Sequence, residues 1–216
     1  MEILEANINN YHLLRNTLIT GNPIIIPTDT NYNFCCLPND KEAIDKIFEY
    51  KIRPKNKPLS IFISKPENWE RYGTSKHTDI MKFLIKKFWP GALNIIIENK
   101  TDYDYALNGS NTISLGCVSN KVFRDFVDYV GGVVAITSAN ISGTADDMLI
   151  TESIAIQQMG DKVDYLLRSQ TEITNTKSST IVKINDEGTV SIIREGDISK
   201  EQIRSILHER GITVEN

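Results

Sequence analysis

Cysteine is scarce. Cys35 and Cys36 are adjacent and Cys117 stands alone, which excludes both a CxxC metal pair and a disulfide framework. Reduced thiols and a cytoplasmic home are the expectation. Glycine and proline number only 12 and 7, which excludes collagen-like and low-complexity classes. No apolar run approaches the roughly 18 to 20 residues of a membrane span, and the opening MEILEANINN carries acids where a signal peptide carries bases. No membrane partner is expected. Positive charge is also in deficit: a formal charge of −4 and a pI near 5.5 exclude a generally basic coat and leave local patches as the place to hold phosphates. Internal repeats and Ser/Gly/Pro-rich linkers are absent as well. The 216 residues therefore read as a single domain, long enough to bury a core without disulfides or metal.

What the chain does have is alternating strand and helix patterns. Apolar runs at Ile24–Ile26, Leu59–Ile63, Leu93–Ile97, Val133–Ile136, Thr180–Ile184 and Val190–Ile193 read as buried strands. Between them, helical spacing covers about Tyr11–Ile19, Lys41–Lys51, Asp79–Phe88, Lys121–Val130, Glu152–Met159 and Ser199–His208. This mixture predicts an α/β (α+β) fold. In the second helix Ala43, Ile44, Ile47 and Phe48 share one face, Asn39 with Glu42 reads as a capping-box pair, and Pro54 as the stop.

Four polar segments follow or flank these strands. Lys51-Ile-Arg53-Pro-Lys55-Asn-Lys57 holds four cations and no acid. It is either a solvated basic turn or, with Pro54 and Pro58 restricting the backbone, a pre-set anion site. Pro27-Thr28-Asp29-Thr30-Asn31-Tyr32 stands at a strand end, where ligands gather in α/β sheets. Its Asp29 carboxylate either orients a substrate amine or caps backbone N–H groups. Thr137-Ser138-Ala139-Asn140-Ile141-Ser142-Gly143 follows another strand and offers donors that can converge on an anion. Ser178-Ser179-Thr180 opens a fourth strand, and Arg194 closes the next one, where it either reaches a phosphate or pairs with a surface acid. His12, His77 and His208 lie outside these segments without ligand spacing, so no protein-built metal site is expected. Phe83, Phe88, Trp89, Phe123 and Phe126 read as core.

Together these strings resemble the YrdC-like threonylcarbamoyl-AMP synthases of tRNA modification. The resemblance rests on Pro27 to Tyr32, Lys51-x-Arg53 with Lys57-Pro58-Leu59, Phe88-Trp89-Pro90-Gly91, Ser138-x-Asn140-x-Ser142-Gly143 and Ser179 to Val182, in the family's order over residues about 20 to 200. It implies a twisted mixed sheet with flanking helices and a concave, positively charged cleft. It also implies a reaction in which L-threonine, bicarbonate and ATP give threonylcarbamoyl-AMP and pyrophosphate, with Mg²⁺ bridging the phosphates. The product serves adenosine 37 of tRNA, so RNA or tRNA-modification proteins are the implied partners. By resemblance, Lys51, Arg53, Ser138 and Asn140 are catalytic residues holding nucleotide phosphates. Lys57, Thr112 and Arg194 add nucleotide contacts, and Thr28, Thr30 and Tyr32 line the threonine site.

The chain departs from the family at several positions. Asn33 stands where the family has Gly, in what would be a left-handed turn, and Asp146 adds a negative charge. Ala92 and Asn94 replace Pro and Thr and read as structural variation. Gly116 stands where the family's Arg would grip the threonine carboxylate, leaving a space that Lys121 or Arg124 is expected to reach. A divergent, non-catalytic paralogue binding nucleotide or double-stranded RNA is the alternative reading.

Overall fold

Short apolar runs become strands and amphipathic stretches become helices, nearly where the sequence places them. The computed structural model describes every residue except 145–148, 174, 176 and 216. Asp146 therefore lies outside the described residues. In chain order the elements begin with β1 (Glu2–Leu4), α1 (Ile8–Ile19), β2 (Ile24–Pro27), β3 (Tyr32–Cys36), α2 (Lys41–Lys51) and β4 (Ser60–Ile63). A 3-10 turn (Pro66–Arg71) and the short β5 (Gly73–Thr74) lead to α3 (Thr78–Phe88), β6 (Leu93–Asn99), α4 (Asp104–Leu107), β7 (Thr112–Gly116), α5 (Lys121–Tyr129) and β8 (Val133–Ser138). The chain ends through α6 (Glu152–Met159), β9 (Tyr165–Leu167), β10 (Thr180–Ile184), β11 (Val190–Arg194), α7 (Lys200–His208) and β12 (Val214–Glu215). No helix among the described residues is long and apolar enough to cross a membrane.

The strands form one mixed sheet in the order β1-β9-β2-β3-β8-β4-β7-β6-β10-β11-β12, with β5 paired to β6 off this path. Strand alternation divides its side chains between two faces. One face carries Phe34, Ile61, Ile95, Leu115 and Val182 into a core shared with α2, α3, α6 and α7. The other carries Ile24, Ile26, Cys35, Phe62, Val134 and Ile136 against α1 and α5, where the Phe62 and Phe123 rings meet edge to face, 5.9 Å apart. That second cover stops short. Over β4, β7, β6, β10 and β11 the second face carries Ser60, Asn94, Thr112, Ser114 and Arg194 and opens as a cleft. Curling of the sheet closes it: the β2–β3 loop meets the segment before β10, with Thr30 Oγ1 3.5 Å from Ser179 Oγ and Asn31 Nδ2 donating to Ser178 Oγ at 3.1 Å.

Two local expectations are corrected. The cap of α2 is Asp40, whose carboxylate accepts from Ala43 N at 3.0 Å, not Asn39, whose amide points to Asp102. The helix ends because Ile52 turns left-handed at φ 50°, two residues before Pro54. Such a backbone is costly for a β-branched residue. It separates an inward Lys51 from an outward Arg53.

Candidate functional site

The cleft has a volume of roughly 390 Å³ and gathers seven of the ten residues to which the resemblance gives a binding or catalytic role. Thr28 and Thr30 come from the β2–β3 loop, Arg53 and Lys57 from the loop after α2, Thr112 from β7, Ser138 from the end of β8 and Arg194 from the end of β11. Among the described residues its lining holds three cations and no carboxylate. Arg53 is fixed in place: Nε donates to the Lys57 carbonyl at 3.0 Å and an Nη to that of Pro58 at 2.8 Å. Burial lowers its pKa, yet a guanidinium stays charged at any physiological pH. Arg194 reaches the lining through a bulge. Ile192 pairs with Val182 and Arg194 with Ile181, so Ile193 is the extra residue and both Ile193 and Arg194 line the cleft. The Arg194 guanidinium then donates to the Ser179 carbonyl at 2.7 and 3.2 Å.

Lys51 and Asn140 are not among the lining residues, which differs from the direct phosphate contact the resemblance implies. Lys51 is 1% exposed. Its ammonium donates to the carbonyls of Ser138 and Asn140 at 2.5 and 2.7 Å and lies 3.3–3.4 Å from their side-chain oxygens. Ser138 Oγ donates to Asn140 Oδ1 at 2.6 Å, and Ser142 N donates back to the Lys51 carbonyl at 2.8 Å. Lys51 thus anchors the loop that presents Ser138. Its place on the buried face of α2, four residues after Ile47, was the sequence signal for this.

Asp29 resolves toward capping. Its carboxylate accepts from Ser119 N, Ser119 Oγ and Asn120 N at 2.7, 2.9 and 2.6 Å. This ties the β2–β3 loop to the start of α5, where Asn120 is the N-cap. Asn33 lies in β3 without a positive φ, so the left-handed turn expected there does not form. Its amide donates instead to Thr28 Oγ1 at 3.1 Å and the Asn31 carbonyl at 2.8 Å, bracing the hairpin from within.

The space at Gly116 is not reached by a new cation. A Cβ there would lie 2.6 Å from the Phe62 ring and 2.8 Å from Asn94 Oδ1, so these two side chains already occupy it. Lys121 is exposed and paired with Asp125, and Arg124 is not in the cleft lining. The three cysteines are buried, and burial raises their thiol pKa values, that of Cys117 to about 12. Protonated thiols of this kind are not nucleophiles.

Tyr32 faces away from the cleft into a second hollow of roughly 330 Å³ that shares Thr30 as a wall. Its hydroxyl donates to Glu152 Oε2 at 3.0 Å and accepts from Ser169 N at 3.1 Å, and burial pushes its pKa up to about 12. Arg168 forks onto Glu152 at 2.8–3.3 Å and reaches Glu5 at 3.2 Å. The Arg168 hydrogen bonds hold the Glu152 carboxyl below its ordinary pKa. A depressed carboxylate pKa contributes stability that is present in full above the unfolded value, about 4.3, and lost as pH falls through the folded one. Glu152→Gln should therefore lower the melting temperature at pH 7 by a few degrees, about 1 kcal/mol. The difference from wild type should shrink below about pH 4 in a thermal-melt series; a difference independent of pH would show that the charge of Glu152 contributes nothing.

No group of three or more acidic, histidine or cysteine side chains able to hold a metal occurs among the described residues. The cleft's hydroxyls and amides are poor ligands for Mg²⁺, which favours carboxylates and phosphates.

Three comparisons place this geometry. A relative from Methanocaldococcus jannaschii is 30% identical over 88% of this chain and 87% of its own. The threonylcarbamoyl-AMP synthase of Vibrio campbellii is 28% identical over 87% of this chain and 99% of its own. The crystal structure of P. abyssi Sua5 complexed with L-threonine superposes with a TM-score of 0.85 at 22% identity, covering 100% of this chain, which spans 63% of the P. abyssi chain. Residues 16–196 match the model of the Sua5/YciO/YrdC family, described under the heading of telomere recombination, and the chain belongs to that family.

Proposed function

We infer that this chain is an L-threonylcarbamoyladenylate synthase, a nucleotidyltransferase that works as a single domain in the cytoplasm. The observation that carries the reading is the cleft itself: among the described residues its lining brings Arg53, Lys57 and Arg194 into one hollow with the hydroxyls of Thr28, Thr30 and Ser138. The threonine amine bonds to the bicarbonate carbon, a C–O bond of bicarbonate breaks, water leaves with the amine proton, and the N-carboxylate results. One of its oxygens attacks the α-phosphorus of ATP, the bond from that phosphorus to the bridging oxygen breaks, and pyrophosphate leaves with the electron pair. Three anionic groups must approach one another, so fixed cations and neutral donors around the phosphoryl oxygens lower the barrier. Arg53 and Lys57 would hold the triphosphate, Ser138 would donate to it once its hydroxyl turns from Asn140 Oδ1, and Thr112 and Arg194 would contact the nucleotide. Mg²⁺ would arrive with ATP on its phosphates. Lys51 and Asn140 would act through the loop they hold, Thr28 and Thr30 would face threonine, and Tyr32 would fix the hairpin from behind. The adenylate would pass to tRNA-modification partners for transfer to adenosine 37.

Incubation with ATP, L-threonine and bicarbonate should release pyrophosphate and yield a threonylcarbamoyl nucleotide detectable by mass spectrometry. Lys57→Ala should raise the KM for ATP about tenfold, the loss of one charge-assisted phosphate contact, with the melting temperature unchanged because Lys57 is exposed. ATP binding without any product from the wild-type protein would overturn the reading and leave a silent nucleotide-binding paralogue.

A further inference from the structure

Asn94 reads as structural variation in the sequence, but its surroundings give it a task. It is 4% exposed, yet it lines the cleft. The other buried polar side chains of that wall satisfy one another. Asn33 donates to Thr28, Asn31 to Ser178, and Thr30 meets Ser179. The Asn94 amide has no hydrogen-bond partner among the described residues, and what exposure it keeps is to the cleft. Ser114 Oγ, two residue pairs along on β7 and so on the same face, is buried and unpartnered. Buried polar groups in folded proteins are almost always paired, so an Asn94 amide that opens only onto the cleft, with the unpartnered Ser114 Oγ nearby on the same face, points to a ligand that completes it.

The chemistry of that ligand follows from what surrounds the amide. Asn94 pairs with Gly116 on one side and Ile181 on the other, and the Phe62 ring fills the space above Gly116. None of these is charged. Arg53 and Lys57 lie on the loop that enters β4, and Arg194 is two strands away, roughly 10 Å in sheet spacing, turned onto the Ser179 carbonyl. An anion at Asn94 would be desolvated without a counter-charge. An uncharged hydroxyl would find both a donor and an acceptor in the amide, and a neighbouring methyl would find the Phe62 ring.

We propose that Asn94, assisted by Ser114, binds the side-chain hydroxyl of the amino-acid substrate and so selects threonine over its isostere valine. This rests on the synthase reading given above. A site built to hydrogen-bond a hydroxyl rejects the analogue lacking it, because the buried polar groups are then left unpaired. The test compares pyrophosphate release with L-threonine and with L-valine in wild type, Asn94→Leu and Asn94→Ser, each checked by its melting temperature. Wild type should prefer threonine by about 100-fold or more in kcat/KM. Asn94→Leu, with the same branching at Cγ and no polar atoms, should bring the two within a few-fold, losing on threonine and gaining on valine. Asn94→Ser should retain part of the preference. A purely structural role would lower both substrates together and leave the ratio intact, which would overturn the proposal. Weak wild-type discrimination, or valine displacing threonine from the wild-type protein at comparable concentration, would overturn it without recourse to any variant. A wild-type protein inactive with both amino acids would instead defeat the synthase reading and take this proposal with it.

Discussion

Replacing Lys51 with methionine should melt the protein about 10 °C lower and remove its activity with it. Methionine keeps most of the aliphatic stem at the end of α2 but has no donors. The Ser138 and Asn140 carbonyls then lose the ammonium that holds them at 2.5 and 2.7 Å. The Asn140 carbonyl is left unsatisfied, at a cost of about 1–3 kcal/mol, while the Ser138 carbonyl keeps Asn140 N at 3.0 Å and loses a charge-assisted bond worth about 1.5–3 kcal/mol. Together these amount to roughly 3–5 kcal/mol, and for a chain of this length each kcal/mol lowers the melting temperature by about 2–4 °C. Ser138 is carried by the same loop, so its hydroxyl leaves the cleft as the loop relaxes. Lys57→Ala should change the KM for ATP at constant melting temperature, whereas Lys51→Met should change both. A Lys51→Met protein with wild-type melting and only a raised KM would return Lys51 to direct phosphate contact. Calorimetry beside a pyrophosphate-release assay separates the outcomes.

The difference between these two lysines shows how far the sequence could be read. Both sit in one basic run, and a cation in such a run reads as exposed. The α2 periodicity that buries Ala43, Ile44 and Ile47 also carries Lys51 inward, but a charged residue at that position does not declare itself as core until its carbonyl partners, nearly ninety residues away, are in place. Strands with unbroken apolar runs, such as Ile24–Pro27 and Ser60–Ile63, were legible, as were the amphipathic helices. β7 was harder because Thr112 and Ser114 face the cleft, so its apolar half is only Ile113 and Leu115. β3 is buried on both faces yet includes Asn33 and two cysteines, and β1 and β9 are three residues each, too short to show a period. Asn94 and Gly116 are 22 positions apart in the chain and look like two unrelated departures. Only the β6–β7 register makes them neighbours, with Asn94 and Phe62 filling what glycine leaves.

The second large effect is expected at Gly196, where adding a single methyl group should cost about a hundredfold in kcat/KM for threonine. A Cβ on Gly196 would lie 2.0 Å from the Ser178 carbonyl oxygen, 2.6 Å from the carbonyl carbon of Ser179 and 2.7 Å from Thr180 N. All three are backbone atoms, so no rotamer relieves the overlap and the segment itself must move. It is held on that side by Gly196 N donating to Thr180 Oγ1 at 2.9 Å and Asp197 N donating to the Ser178 carbonyl at 2.9 Å. Across the cleft it meets Thr30 and Asn31, and it accepts the Arg194 guanidinium. Displacing it by about 1 Å therefore shifts three contacts of the proposed substrate site at once, and misplacement on that scale is enough for a loss of two orders of magnitude. Gly196→Ala should fold, with a lower melting temperature, because the clash is confined to the Ser178–Thr180 segment at the start of β10. Glu195→Ala, at the exposed neighbouring position, should behave as wild type in both measurements. Wild-type threonine kinetics in Gly196→Ala would mean that the Ser178–Ser179 segment is not part of the site, and the closed edge of the cleft would have to be sought elsewhere on the curled sheet.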